Sequence, residues 1–290
     1  MRGQSWKAGE LPGADEGQPG LTDGSSETRR RYGPLPSFIV VGAQKAGTTS
    51  LKANLRRHPQ VFMPAKEVHF FDKHWDEGKE WYRTQFARGR GKLCGEKSPS
   101  YMTRRLFMER LHATIPEAKI VVLLRDPVSR LFSHVNHRIH RRGLPEADTI
   151  DVEYLRENIL DRAWENFIER GFYLEQIEQN ILRFFSGEQL FVRATDGWSA
   201  SLDRRTLVHK DPHKLRGVER GDFTRRLHWE LQDFLGIDRW DPPEFEIAHV
   251  RLYRAEVSPE ARALARDIYR THNDRLFEFL GYKIPSWLGD

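Results

Sequence analysis

The fold of this chain is constrained most by segment 38–51, which reads FIVVGAQKAGTTSL. Residues 38–41 are consecutive apolar residues, which predict a buried strand. Gly42 and Gly47 enclose a tight turn, and a helix is predicted from Thr48 onward. A strand, a glycine-bounded turn and a helix N-terminus together form an anion cradle, because free backbone N–H groups and the positive helix end point at one place.

The order of residues in this loop separates it from the common nucleoside-triphosphate loop. That loop reads G-x4-G-K-[ST], with the lysine directly after the second glycine. Here Gly42 and Gly47 keep the spacing, but Thr48 follows the second glycine and Lys45 lies inside the loop. The loop therefore fits a phosphate but lacks the lysine placement expected for a β/γ-phosphate pair. A phosphate-binding loop of this kind would also be compatible with an ATP-dependent small-molecule kinase. The sequence, however, shows no clear aspartate that would bind the Mg²⁺ of such an enzyme.

Three further segments combine charged and apolar residues; they are KEVHFFD at 66–72, GEKSPSY at 95–101 and VVLLRDPVSRLFS at 121–133. Together with the loop, these segments resemble four segments that occur in the same order in the sulfotransferases that use 3′-phosphoadenosine 5′-phosphosulfate (PAPS). Over roughly residues 37–140 the chain resembles this family, most closely the heparan-sulfate type and its bacterial relatives.

This resemblance implies a P-loop-type three-layer α/β fold, in which helices flank a central parallel sheet. It also implies transfer of a sulfuryl group from PAPS to a hydroxyl or amine, which leaves adenosine 3′,5′-bisphosphate. The acceptor could be a carbohydrate, a lipid or a secondary metabolite. The sequence does not distinguish among these, and it leaves the oligomeric state open.

Glu67 and His69 are the candidate catalytic pair. On an extended segment, residues two apart point to one face, while Val68 and Phe70 point to the other. An apolar wall beside a carboxylate is expected to raise its pKa, which suits a general base. The resemblance implies that Glu67 is the base and that His69 helps to orient the acceptor. Asp72 often joins this pair in the family.

Two lysines are the candidate cations at the transferred group. Lys45 lies in the loop, and the resemblance implies that it contacts the phosphosulfate. Lys97 follows a predicted strand, so it should face the ligand crevice at the carboxyl edge of the sheet. The family match makes it the second cation. Glu96 could pair with Lys97 or face the acceptor. The family uses no metal, and His134, His137 and His140 lack the accompanying ligands of a metal site.

Donor binding is assigned to two groups of residues by the resemblance. Arg125 and Ser133 are expected to bind the 3′-phosphate, for which the guanidinium fork is suited. Lys210, Lys214 or Arg216 could complete this end of the site. The residues expected to contact the 5′-phosphosulfate are Lys45, Ala46, Gly47, Thr48, Thr49 and Ser50.

The chain is predicted to consist of a disordered tail, 1–34, and a single sulfotransferase domain, 35–290. The predicted strands are 37–42, 92–96, 119–124 and 189–193. The predicted helices are 48–58, 78–87, 103–114, 127–142, 152–185, 221–235 and 258–280, with a break near Gly171. Residues 196–220 are predicted to form a surface loop.

Charge and apolar content bound the partners of the chain. The net charge of +5 suits an enzyme that binds an anionic nucleotide, although an ordinary basic surface would give the same value. Nucleic acid is not expected as a partner. The single cysteine, Cys94, is expected to be buried. No apolar run is long enough for membrane insertion, so the chain is expected to be a cytoplasmic, bacterial member of the family.

Overall fold

The computed structural model of the protein describes residues 31–160, 166–196, 214–215, 222–248 and 255–288. The predicted N-terminal tail therefore lies almost wholly outside the described residues. Near its end, Gly33 donates its backbone N–H to the carbonyl of Arg83 at 3.0 Å. The chain thus contacts the folded body before residue 35.

The strands of the described residues are, in chain order, β1 (Phe38–Gly42), β2 (Val61–Phe62), β3 (Leu93–Lys97), β4 (Lys119–Leu124), β5 (Thr149–Ile150), β6 (Leu190–Ala194), β7 (Lys214–Leu215), β8 (Ile247–Ala248) and β9 (Glu256–Val257). Five of them form the central sheet in the order β2-β3-β1-β4-β6, and all its pairings are parallel. This confirms the predicted parallel sheet. The strand β1 lies at its centre, between β3 and β4.

Burial explains why these strands were predictable. Every residue of β1 is buried, and β4 is buried from its second residue onward. Helices cover both faces of a parallel sheet, so its strands are near-continuous apolar runs. The four predicted strands are confirmed as β1, β3, β4 and β6. The short strand β2 was not predicted, because two residues carry no readable periodicity.

The α-helices of the described residues are α1 (Thr48–Leu55), α2 (Phe70–Lys73), α3 (Gly78–Thr84), α4 (Arg105–Thr114), α5 (Pro127–His140), α6 (Val152–Leu155), α7 (Tyr173–Gln176), α8 (Asp222–Leu235) and α9 (Pro259–Leu280). Apart from α2, α6 and α7, they match the predicted helices closely. The main hydrophobic core surrounds the sheet, and a second cluster lies between α5 and α9.

The long helix predicted over 152–185 is wrong. The chain forms α6 followed by a π-turn, Arg156–Leu160, and later α7 followed by a second π-turn, Ile177–Ile181. The predicted break near Gly171 is confirmed, and Gly171 itself packs closely against another helix. A Cβ atom at Gly171 would lie 2.6 Å from the Tyr269 ring.

Within the described part of the chain, none of the helices combines the length and apolar character needed to cross a bilayer. Most of the predicted loop 196–220 lies outside the described residues. Within that segment, β7 pairs antiparallel with β8.

Candidate active site

The loop at residues 43–47 leaves the carboxyl end of β1 and leads into α1. Gly47 is the N-cap of this helix and has φ 80°, a left-handed conformation that glycine adopts without steric cost. Lys45 also has a positive φ, 72°. Gly42 packs so closely on Met102 that an added Cβ would lie 1.7 Å from its sulfur. The turn therefore favours glycine at both positions, but for different reasons. Gly47 adopts a left-handed conformation, whereas Gly42 has no space for a Cβ atom.

The first turn of α1 has the properties of an anion site. Its leading N–H groups have no partner within the helix, and no acidic residue occurs in the turn. Thr48 and Ser50 are buried, whereas Thr49 is half-buried and directs its hydroxyl to Lys97. Ala46 is fully buried, and its carbonyl lies 3.4 Å from the hydroxyl of Thr195. The residues predicted to contact a 5′-phosphosulfate thus form one continuous turn.

Glu67, His69 and Lys97 lie together, as predicted. One carboxylate oxygen of Glu67 accepts a hydrogen bond from the ammonium of Lys97, and the other lies 2.9 Å from Nε2 of His69. Lys97 also donates to the hydroxyl of Thr49 at 2.9 Å. A carboxylate, an imidazole and an ammonium are therefore connected to the helix that begins at the loop.

The imidazole of His69 bridges two carboxylates. Its Nδ1 lies 3.0 Å from Oδ2 of Asp72, and this oxygen also accepts from the hydroxyl of Ser100 at 2.6 Å. The hydrogen bonds to Asp72 and Glu67 raise the pKa of His69 to about 9. The imidazole is consequently protonated at neutral pH and donates from both nitrogens.

The expected rise in the pKa of Glu67 is wrong. Burial would raise it, but the hydrogen bond from His69 and the positive charge of Lys97 outweigh burial and lower the pKa to about 2. Val68 and Phe70 are buried, but the extended segment predicted through Phe70 ends at His69, whose φ of 55° leads into α2. The carboxylate itself faces two cations, and these determine its ionisation.

Glu96 neither pairs with Lys97 nor faces the site. It is 0% exposed, and its carboxylate accepts from the hydroxyls of Tyr82, Tyr101 and Ser98. Burial raises its pKa. The hydroxyl of Ser98 also accepts from the backbone N–H of His69 at 3.1 Å. Glu96 is therefore linked through Ser98 to the segment that carries Glu67 and His69.

Arg125 contacts the loop directly. Its guanidinium lies 3.3 Å from the carbonyl of Lys45, so the predicted 3′-phosphate group and the predicted phosphosulfate group adjoin. The hydroxyl of Tyr173 donates to the carbonyl of Arg125 at 2.8 Å. Ser133 is buried two turns into α5. Tyr173 itself is buried.

Asp126 begins α5 as its N-cap. Its carboxylate accepts from the N–H groups of Val128 and Ser129. Its own N–H donates to Asp196 at 3.0 Å, and Asp196 also accepts from the indole of Trp287. The start of α5 is thereby tied to the end of β6 and to a C-terminal residue.

Residues farther along α5 lie in the interior. Arg130 is 0% exposed and donates to the carbonyl of Phe167. His134 is buried, and burial together with nearby Arg130 lowers its pKa to about 2. Among the described residues, no group of three or more histidine, cysteine or carboxylate side chains could hold a metal ion. Cys94 is buried, as predicted.

Comparison with known proteins identifies the family. Residues 35–193, more than half of the chain, match the sulfotransferase domain. The chain belongs to the sulfotransferase family. This match includes the loop, both candidate lysines, Glu67 and Arg125.

Relatives with described activities include two heparan sulfate glucosamine 3-O-sulfotransferases. Isoform 3A1 of Mus musculus is 33% identical over 231 residues, which are 77% of this chain and 51% of that protein. Isoform 6 of Homo sapiens is 34% identical over 178 residues, 61% of this chain and 51% of that protein. The chain thus spans about half the length of these curated relatives.

A solved sulfotransferase structure has the same fold. The sulfotransferase from Alicyclobacillus acidocaldarius aligns with a TM-score of 0.64 at 22% identity, covering 87% of this chain and 98% of that one. At this identity the likeness concerns the fold alone.

Three basic residues predicted for the donor site cannot be compared with the structure, and one lysine near Glu67 was not predicted. Lys210 and Arg216 lie outside the described residues, as does the side chain of Lys214, so the far end of the expected sulfotransferase donor site stays a prediction. Lys52 was missed, although it contacts the segment that carries Glu67. Its spacing of three residues from Thr49 on one helix was the available signal.

Proposed function

We propose that the chain is an enzyme that transfers the sulfuryl group of PAPS to a hydroxyl or amine of an acceptor. The observation that supports this best is the connected group of Glu67, His69 and Lys97 beside the loop. Sulfuryl transfer needs a base for the acceptor proton and cations where negative charge develops on the departing phosphate. These three side chains are the required types, and Lys45 in the loop supplies a further cation.

Glu67 is the proposed base. It removes the proton from the acceptor as the acceptor oxygen or nitrogen bonds to sulfur, and the bond between sulfur and the bridging oxygen breaks. The proton is retained on the carboxylate, and the electron pair leaves on the phosphate. While Lys97 and His69 both donate to Glu67, the carboxylate is a weak base. When Lys97 directs its ammonium to the transferring group, Glu67 loses a stabilising charge and becomes more basic.

Arg125 and Ser133 are the proposed 3′-phosphate ligands, and residues 45–50 are the proposed phosphosulfate ligands. Contact between Arg125 and the Lys45 carbonyl supports this assignment, because one nucleotide could then reach both groups. The names of the relatives favour a sugar hydroxyl as the first acceptor to test. A single domain over 35–290, a cytoplasmic location and a bacterial source remain predictions.

The test is transfer of labelled sulfate from PAPS to desulfated heparan fragments, simple lipids and small polyketides. Glu67→Gln should lower kcat by roughly 10²- to 10⁴-fold, the usual range for loss of a general base. Glu80→Gln is the matched control, since Glu80 is an exposed residue that pairs with Arg83. Affinity for adenosine 3′,5′-bisphosphate should be similar in all three proteins.

Two results would contradict the proposal. If Glu67→Gln retains turnover within about threefold, Glu67 is not the base. If ATP with Mg²⁺ replaces PAPS as donor, and if EDTA abolishes the reaction until Mg²⁺ is restored, the chain is a kinase. The family match favours sulfuryl transfer over this alternative.

A further inference from the structure

Lys52 is a buried lysine that contacts the segment leading into Glu67. The residue is 7% exposed, and its ammonium donates to the carbonyls of Ala65 at 3.0 Å and Lys66 at 2.9 Å. These are the two carbonyls immediately before Glu67. A buried ammonium requires such partners, because an unsatisfied charge in the interior is costly.

Lys52 lies on the same face of α1 as Thr49, one turn farther along. Thr49 accepts from Lys97 at 2.9 Å. The helix that begins at the loop therefore contacts both partners of the ion pair, Lys97 through a side chain and Glu67 through its preceding backbone. Through these contacts, the single helix α1 holds the loop, Lys97 and Glu67 in fixed positions relative to one another.

The segment that Lys52 holds has little structure of its own. Residues 63–69 lie between β2 and α2 and form neither helix nor strand. Its downstream end is fixed by the hydrogen bond from the His69 N–H to Ser98 at 3.1 Å. Lys52 fixes its upstream end, so Glu67 lies between two anchors.

We propose that Lys52 is a positioning residue for Glu67: by binding the two carbonyls before it, Lys52 sets the distance of the carboxylate from Lys97, His69 and the loop. The proposal rests on the function assigned above to Glu67, and it adds a residue that acts on Glu67 through the backbone carbonyls of Ala65 and Lys66. Precise placement matters because a displacement of about 1 Å in an active site can reduce turnover roughly 100-fold.

The surroundings of Lys52 disfavour its charged form. Burial, followed by repulsion from Lys97, lowers its pKa to about 8. Arg56 acts in the same direction, whereas Glu67 and Glu96 act against it. The protein thus keeps an ammonium where its charged form is disfavoured, which is common at functional sites.

The variant Lys52→Met tests the proposal, because it keeps an unbranched apolar stem and removes both hydrogen bonds. Lys119→Met is the matched control. Lys119 also donates to a backbone carbonyl, that of Phe234, but it lies at the start of β4, away from the carboxyl edge of the sheet. The readouts are the pKa of His69 by NMR titration of its imidazole, kcat, and the Kd for adenosine 3′,5′-bisphosphate.

In Lys52→Met the pKa of His69 should fall from about 9, because Glu67 is held less closely to Nε2. Loss of a nearby positive charge alone would raise this pKa, so the direction separates positioning from electrostatics. We expect kcat to fall roughly 10- to 100-fold with unchanged Kd. Lys119→Met should change none of these values. Lys52→Arg, which keeps the donors, should restore most of the wild-type behaviour.

A His69 pKa that stays constant or rises in Lys52→Met, with kcat equal to that of Lys119→Met, would overturn the proposal. If Lys52→Met does not fold, the same comparison is made with Lys52→Gln, which keeps one donor. If the wild-type protein transfers no sulfate, the proposed function fails, while the NMR titration still decides whether Lys52 positions Glu67.

Discussion

The positive charge of His69 depends chiefly on Asp72, and Asp72→Asn isolates this dependence. The hydrogen bonds to Asp72 and Glu67, with Asp72 the larger contributor, raise the pKa of His69 from 6.5 to about 9. At about 1.4 kcal/mol for each pKa unit, the difference corresponds to about 3 kcal/mol favouring the imidazolium. The His69 side chain is 19% exposed, so solvent screening of this interaction is limited. If Asp72 supplies half or more of this rise, Asp72→Asn should lower the pKa of His69 by between about 1 and 2.

The same substitution should change how stability depends on pH. A histidine whose pKa is raised by folding stabilises the protein fully below pH 6.5, and this contribution is lost as the pH rises through about 9. The free energy of unfolding of the wild-type protein should therefore fall more steeply across this window than that of Asp72→Asn. The difference should approach about 1.5–3 kcal/mol, since the Asp72 carboxyl, whose pKa is lowered by its hydrogen bonds to His69 and Ser100 despite burial, does not itself titrate in this window.

NMR titration of the His69 imidazole measures the pKa, and urea unfolding between pH 6 and pH 9.5 measures the stability. Asp76→Asn is the control, because it removes the same charge from an exposed position four residues away. The electrostatic explanation is refuted if the pKa of His69 is the same in Asp72→Asn as in the wild-type protein. A wild-type value near 6.5 would refute it as well.

Two further substitutions test the donor site and the loop. Arg125→Ala should weaken binding of adenosine 3′,5′-bisphosphate by about 1.5–3 kcal/mol in calorimetry, the value of a hydrogen bond to a charged group; unchanged affinity would remove Arg125 from the site. Gly42→Ala should lower the free energy of unfolding by about 1–3 kcal/mol, because its Cβ would collide with Met102. Gly187→Ala is the control for the latter, since an added Cβ there meets nothing within 4 Å. Equal unfolding midpoints for these two alanine variants would contradict the steric explanation.

Most of the central sheet could be predicted because its longer strands contain short apolar runs that are buried in the fold. β1 and β4 are examples, and they place the loop and Arg125 at one edge without further information. The helix at 152–185 could not be predicted correctly, because π-turns and the packing of Tyr269 on Gly171 depend on contacts from distant parts of the chain. The local periodicity of the sequence does not indicate such contacts.

The candidate site shows the same division. The alternation of Glu67, Val68 and His69 predicts correctly which side chains share a face. It does not give the pKa of Glu67, because burial is outweighed by the hydrogen bond from His69 together with Lys97, and Lys97 is 30 residues away in the chain. Lys52 was missed for the same reason, since its partners at Ala65 and Lys66 become neighbours only in the folded protein.

The strand order of the sheet also sets the distance between the backbone positions of Lys97 and Arg125. Lys97 ends β3, the loop follows β1, and Arg125 follows β4, so the groups proposed to bind the two ends of the donor leave from three adjacent parallel strands. Adjacent strands are about 4.8 Å apart, which separates the outer two by about 10 Å. Hydrogen bonding between the strands holds this interval between their backbones, and the long side chains of Lys97 and Arg125 extend from these fixed positions. The sheet therefore determines where the cations proposed to bind the donor are attached, whichever acceptor the surrounding loops select.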